Sequence, residues 1–432
     1  MCDIVNSYIL HIKMPPCAQP IVYAHFRRRV TYCMARAQVA PPRNKGLRQA
    51  IRNVACCLRF TPSRKRSSAV RGSLAIWCDP IETEIDGHAP KIELHFNMWQ
   101  DLPQDNAALD VGFRIKEART IRQLHFYIPA EISLDRVTDL STVLKNKNTI
   151  SAIFNNVLKI GSENSLTYQV KNSNDKVYLR VVYIDFEKHL SIFHLKDGDN
   201  TDGTVLTFND SLFQNLDEVG DYYIRLRLKF GRKELYKLFA SKFDAEEKLF
   251  ISVFSRTDII EFRVNEKRNF SNTLRSNIPN MFFPDISAIH FLLARRVDVE
   301  LIKSHADFRK MRKLEPNIWD HYLEQFGKVP SEMVIYHWRE IAQPGASVDD
   351  FMALAIFRKF IPNFGLYALA LALFGGLGSA VQGTLAALLK QITEGKQTTE
   401  LTIQLSALVM LGLALLGLYD RIRKNRSENG DV

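Results

Sequence analysis

The sequence predicts an α+β chain. A soluble β-rich domain, mostly antiparallel and sandwich- or barrel-like, is followed by a helical neck and a C-terminal two-helix transmembrane hairpin. Three observations carry this expectation. Two long C-terminal runs, Ile361–Leu389 and Leu401–Tyr419, contain no charged residue. From about residue 74 to 303, short segments alternate apolar and polar side chains, the period of half-buried strands. Basic charge and cysteine are concentrated in the first sixth of the chain, which sets that part off from the rest.

Residues 1–73 form the first region. Within 1–72 stand fourteen Lys/Arg and one acid, a net of +13, whereas the remainder of the chain sums to −2. Pro15–Pro16 and Pro41–Pro42 interrupt it, and Arg27–Arg29 and Arg64–Arg66 cluster charge. Four readings fit: a disordered basic arm for nucleic acid or anionic lipid, an Arg-rich transit peptide, a small domain, or a stretch upstream of the true start. A nucleic-acid partner is expected only if residues 1–72 are native. An apolar segment with a small-residue cleavage site is missing, which argues against a secretory signal. All six cysteines (Cys2, Cys17, Cys33, Cys56, Cys57 and Cys78) precede residue 79, without a CxxC pair. That is a poor zinc arrangement, and a cytosolic body argues against a disulfide framework.

Residues 74–303 read as the β-rich domain. Lys91–Met98 places Ile92, Leu94 and Phe96 on one face. Leu109–Ile115, Ile121–Ile128, Thr167–Lys171, Lys176–Phe186, Leu190–Leu195 and Val205–Phe208 follow as strands, with Asp135–Val157 read as helical between them. Tyr222–Phe230 alternates most clearly: Ile224, Leu226, Leu228 and Phe230 against Arg225, Arg227 and Lys229. The three cations are expected on a wet face, either as a site for an anionic ligand or partner or as a solvated face paired with neighbouring acids. Gly231–Phe243 reads as a short helix; Lys248–Phe254, Asp258–Asn265, Ile286–Leu293 and Val297–Ile302 read as strands. The long crossovers that parallel pairing needs are scarce, so antiparallel pairing is favoured.

Residues 304–360 read as the helical neck. Its expected helices are Asp307–Lys313, Pro316–Phe326, Glu332–Ala342 and Val348–Phe360. Ser347 is placed to cap the last, with Asp350 at a capping-box position. That last helix, with Arg358 and Lys359 before the membrane, is expected to lie in the interface.

Residues 361–420 read as the hairpin, with spans at about 363–385 and 401–419 and a basic tail at 421–432. Each span approaches or exceeds the roughly 20 apolar residues needed to cross a bilayer. Arg339, Arg358 and Lys359 before the hairpin, and Arg421, Arg423, Lys424 and Arg426 after it, outnumber Lys390 and Lys396 in the link. By the positive-inside rule both termini are cytoplasmic, in an integral membrane protein of the inner or cell membrane if the source is bacterial. Gly375, Gly376, Ser379 and Gly383 allow close helix approach, and Gln382 and Gln404 are placed to hydrogen-bond across the hairpin or between copies. The expected partners are therefore the lipid bilayer, further copies of the chain, and an unidentified protein or ligand for the β domain. The spans hold no ionisable group, which argues against a proton relay.

Motifs that commit a chain to a reaction are missing. The sequence has no GxxxxGK[ST], HExxH or GxSxG. Asp197–Gly203 fails the EF-hand register and reads as a hairpin turn. His88, His95, His189 and His194 lack metal-helix spacing, and Arg263, Glu266 and Arg268 read as a salt-bridge set. No catalytic, cofactor or metal residue is assigned on this basis. The expected function is a membrane-anchored sensor or effector, whose β domain binds a ligand or partner and whose hairpin anchors in or perturbs the membrane on association. The alternatives are a scaffold that uses the hairpin only as a tether, and an enzyme that takes an anionic substrate on Arg225, Arg227 and Lys229.

Overall fold

The computed structural model describes residues 72–394 except 82–88, 198–199, 217–219, 243–254, 279, 307, 329–331 and 361–363, together with isolated positions between 403 and 417. Strands dominate, as the alternation requires. They form three sheets. The ten-stranded central sheet runs in the order β16 (Lys310–Lys313), β17 (Met333–Ile341), β14 (Asp285–Arg296), β2 (Lys91–Trp99), β3 (Asn106–Lys116), β11 (Asp221–Gly231), β8 (Val177–Val182), β7 (Thr167–Asn172) and β6 (Leu158–Glu163), with β5 (Val137–Asp139) also pairing with β11. A second sheet joins β1 (Ala75–Pro80), β4 (Ile121–Ile128), β10 (Asn200–Phe208) and β9 (Leu190–Asp197). The third joins β12 (Ala240–Lys242), β13 (Ser255–Val264), β18 (Phe351–Phe360) and β15 (Val299–Ser304).

Pairing is antiparallel except at β2–β14 and β8–β11. The sheets are thus mixed and antiparallel, not purely antiparallel. The two smaller sheets pack on one face of the central sheet. That face takes every second residue: Ile92, Leu94, Phe96 and Met98 from β2, and Leu109, Val111, Phe113 and Ile115 from β3. Phe113 meets Phe126 of β4 and Phe208 of β10 edge-on at 6.0 and 5.6 Å. Phe291 of β14 stacks on Phe262 of β13 at 4.1 Å. Such rings bury large areas and fix the layers against each other.

Helices cover the opposite face. Lys147–Phe154 begins where the Asn146 side chain accepts from the backbone N–H groups of Asn148 and Thr149, a helix N-cap. Pro316–Tyr322 begins with Pro, whose missing N–H is harmless at that position. Trp319, Tyr322, Leu323 and Phe326 pack with Trp99, Leu144, Ile150 and Tyr168 beneath this cover.

The helical neck is corrected. Residues 310–313, 333–341 and 351–360 are strands, and Pro316–Tyr322 is the helix among them. The expected interfacial helix is β18, which pairs with β13 on one side and β15 on the other. Phe351, Ala353, Ala355 and Phe357 point inward. Because Leu354 and Ile356 are also apolar, the run fits both periods, and periodicity cannot separate strand from helix. The Ser347 hydroxyl does not cap a helix but accepts the Ile286 N–H at 2.9 Å. The helix expected over 135–157 is reduced to Lys147–Phe154, preceded by β5 and a 3-10 turn.

After β18 comes one helix of 31 residues, Phe364–Glu394. Its segment Leu371–Lys390 has mean hydropathy 1.5 and is almost unburied. At 1.5 Å per residue the helix is about 46 Å long, more than the roughly 30 Å of a hydrocarbon core. A buried core helix passes the same length and hydropathy test, but here Leu371, Leu385 and Ile392 are 73%, 59% and 77% exposed. The second expected span lies mostly outside the described residues, and the basic tail and residues 1–71 lie wholly outside them.

Candidate functional site

A sheet face covered by helices ordinarily carries apolar side chains. The helix-covered face of the central sheet departs from this. It presents Glu93, His95 and Asn97 from β2, Asp110 and Arg114 from β3, Tyr223, Arg225 and Arg227 from β11, and His290 from β14. Register aligns them in rows: Asn97, Asp110 and Arg227 in one, His290, His95, Gly112 and Arg225 in the next. Buried charges persist only when paired and hydrogen-bonded, and these are.

Asp110 is the hub at one end. Its carboxylate accepts from Arg227 Nε at 2.6 Å and Nη2 at 2.9 Å, from Trp99 Nε1 at 2.7 Å and from the Tyr322 hydroxyl at 2.7 Å. Burial opposes its ionisation, but the Arg227 guanidinium, with Arg225 and Tyr322 behind it, holds the carboxyl below its ordinary range. Arg225 donates to the hydroxyls of Tyr322 at 2.7 Å and Tyr223 at 2.6 Å. The Tyr223 phenol lies across Gly112, in the space that any Cβ there would occupy. Glycine at 112 is what lets that hydroxyl reach His95 Nδ1, 3.1 Å away. With Tyr223 donating, His95 carries its proton on Nε2 and donates to Glu93 Oε1 at 3.1 Å. A continuous polar chain thus runs from Asp110 to Glu93.

The other end is a cluster of donor atoms. Glu93 Oε1, His95 Nε2 and His290 Nε2 lie within 4.8 Å of one another, the one such group of three among the described residues. His290 Nε2 is buried and lies 3.1 Å from Glu93 Oε1, an ion-pair contact in which the nitrogen makes no well-formed hydrogen bond. His290 Nδ1 is 3.1 Å from His337 Nε2. Arg114 lies 3.6 Å from Glu93 Oε2 and pairs with Asp221 at 2.7 Å. Burial lowers the His95 imidazole to about 4, only partly offset by Glu93, and burial beside His290 lowers His337 to about 3. Burial alone would raise Glu93, but its contacts with His290 and His95 hold it below the ordinary carboxylate range. At neutral pH the cluster therefore presents one carboxylate, with His95 and His337 neutral. The Glu93 and His290 side chains are 22% and 14% exposed, so the cluster lies near the surface, with His290 Nε2 itself buried.

The expected cationic face is corrected. Arg225 and Arg227 are wholly buried, because the second face of β11 is roofed by Pro316–Tyr322 and faces Asp110 of β3. Lys229, near the end of β11, is partly exposed. The remaining charged set behaves as expected: Arg263 pairs with Glu261 at 2.5 Å and Glu266 at 3.2 Å, and Arg268 pairs with Glu266. His194 Nδ1 lies 3.1 Å from the Thr204 hydroxyl, inside the β9–β10 hairpin. Gly375, Gly376, Ser379, Gln382 and Gly383 lie on the apolar helix, whereas Gln404 lies outside the described residues. Sequence reasoning passed over Glu93, His290 and His337. The local signal was Glu-x-His within an alternating strand, which puts both side chains on one face. No protein-family model matches the chain, and a search of curated proteins finds no match.

Proposed function

We propose that the chain is a membrane-anchored sensor or effector whose β-rich domain binds a ligand or partner on the cytoplasmic side. The observation that carries this reading is the apolar, almost unburied segment Leu371–Lys390, starting eleven residues after β18 ends at Phe360. A helix of that composition is almost unburied among the described residues, and lipid is the solvent it suits. The finer reading adds a second span at 401–419, both termini in the cytoplasm, and integral insertion in the inner or cell membrane if the source is bacterial. Basic residues flanking the hairpin support that orientation. Self-association would use Gly375, Ser379 and Gly383. A Cβ at Gly375 meets nothing within 4 Å among the described residues, so a neighbouring helix has room to approach.

Exchange of residues 361–420 for an unrelated two-span anchor tests the role of the hairpin. The readout is dye release from anionic vesicles holding the purified protein, together with crosslinking of copies. An effector loses both with the exchanged anchor. Release and crosslinking unchanged by the exchange would reduce the hairpin to a tether and favour the scaffold reading.

A further inference from the structure

We infer that Glu93, His95 and His290 bind a divalent first-row transition ion of the zinc class, with a coordination position left for an exogenous ligand. The donor set is one carboxylate oxygen and two imidazole nitrogens. Such a mixture suits Zn²⁺ and its first-row neighbours, whereas Mg²⁺ and Ca²⁺ take oxygen ligands. Three protein ligands with one open position is the pattern of a reactive or ligand-binding zinc site, not a closed structural one.

The geometry is close to what an ion needs. Both imidazoles approach the same atom, Glu93 Oε1, at 3.1 Å. A tetrahedral ion with bonds of about 2.0–2.1 Å holds neighbouring donors about 3.3–3.4 Å apart. Opening each of these contacts by a few tenths of an ångström, and bringing the two imidazole nitrogens, within 4.8 Å of each other, to the same spacing, admits it. His290 Nε2 adds a second observation: it is buried and 3.1 Å from Glu93 Oε1 without a well-formed hydrogen bond. A buried nitrogen whose hydrogen bond is imperfect carries a cost, and a metal ion shared with Glu93 would remove it.

Each ligand also has an outer partner that fixes its orientation. His95 Nδ1 meets the Tyr223 hydroxyl, His290 Nδ1 meets His337, and Glu93 Oε2 faces Arg114. Outer contacts of this kind orient ligands and sharpen affinity. On ion binding the His95 Nε2 proton would leave to solvent and the imidazole would take the Tyr223 hydroxyl proton on Nδ1, leaving a phenolate that accepts from both His95 Nδ1 and Arg225. The charge balance then says what fills the open position. Asp110, Glu93 and Asp221 already match Arg225, Arg227 and Arg114, so a dication adds two positive charges. Arg339, opposite His290 in the β14–β17 register, adds another nearby. Hydroxide or an exogenous anion is the ligand this surrounding favours.

The test uses the full chain in detergent, stripped with EDTA, and titrated with Zn²⁺ alone or with Co²⁺ as a spectroscopic probe. It does not depend on membrane insertion, so its failure and that of the proposed function are separable. One Zn²⁺ is expected to bind, and Co²⁺ is expected to give ligand-field bands of a nitrogen- and oxygen-ligated four- or five-coordinate ion. His290→Ala is expected to weaken Zn²⁺ binding at least 100-fold. Tyr223→Phe, which reaches the ion only through His95 while also removing an acceptor from Arg225, should weaken it about 10–100-fold. Circular dichroism checks that each variant folds. If His290→Ala does not fold, His337→Ala and the wild-type Co²⁺ spectrum decide. No Zn²⁺ binding to the wild type, unchanged affinity in the folded variants, or a Co²⁺ spectrum dominated by thiolate charge transfer would overturn the inference.

Discussion

Asp110→Asn removes the charge that two buried guanidinium groups depend on, while keeping the side-chain shape. The carboxylate accepts four hydrogen bonds, from Arg227 Nε and Nη2, Trp99 Nε1 and the Tyr322 hydroxyl. An amide keeps one accepting oxygen and turns an NH₂ toward donors. Each buried donor left unpaired costs about 1–3 kcal/mol, and breaking a buried ion pair on one side costs about 3–5 kcal/mol. Those two routes agree on a loss of about 3–5 kcal/mol. At roughly 2–4 °C per kcal/mol for a domain above 150 residues, the midpoint should fall by about 6–20 °C. Tryptophan fluorescence is a suitable probe, since Trp99 donates to Asp110 and packs on Trp319 at 5.4 Å. The effect also has a sign in pH. The folded-state pKa of Asp110 is depressed, so its contribution is present above the unfolded value of about 3.9 and fades as pH falls through the folded one. The gap between wild type and variant should be full at neutral pH and narrow below about pH 4. A loss under about 1 kcal/mol at neutral pH, within the range of exposed pairs, would refute the view that the carboxylate is the hub of the seam.

Gly112→Ala forces the Tyr223 ring off its place and should cost about 1–3 kcal/mol as an overpacking change, read by denaturant unfolding. It should also break the link between His95 and Arg225. Val381→Arg puts a charge near the middle of the apolar helix, at a cost of about 3 kcal/mol; the inserted fraction in a microsomal glycosylation-reporter assay should drop. Burial, with Asp79 nearby, pushes the Cys78 thiol up to about 12. Cys78 should therefore resist iodoacetamide at pH 8 in the native protein and react once the chain is unfolded, as peptide mass mapping would report.

The strands were legible where one face is apolar and the other polar. Lys91–Met98 and Tyr222–Phe230 are the clearest cases, and both are strands of the central sheet. What alternation does not say is whether the polar face is wet. Arg225 and Arg227 look like surface residues in sequence, and it takes Asp110, over one hundred residues away, and Tyr322, nearly another hundred on, to bury them. β18 failed for the opposite reason: its two faces are both largely apolar, so the helix period fits as well as the strand period. The Glu93–His95–His290 cluster needs the parallel pairing of β2 and β14, a contact across 195 residues in register. Only the Glu93–His95 half was local. The apolar helix was legible outright, because absence of charge over such a length is a one-dimensional property.

Alkaline carbonate extraction of membranes from cells expressing the full chain, alongside a chain ending at Phe360, tests the anchoring claim most directly. The expected result is a full chain that stays in the pellet and a truncated chain that moves to the supernatant with its β domain folded. A full chain released by carbonate would contradict membrane anchoring through Leu371–Lys390, and a truncated chain that still resists extraction would move the anchor elsewhere.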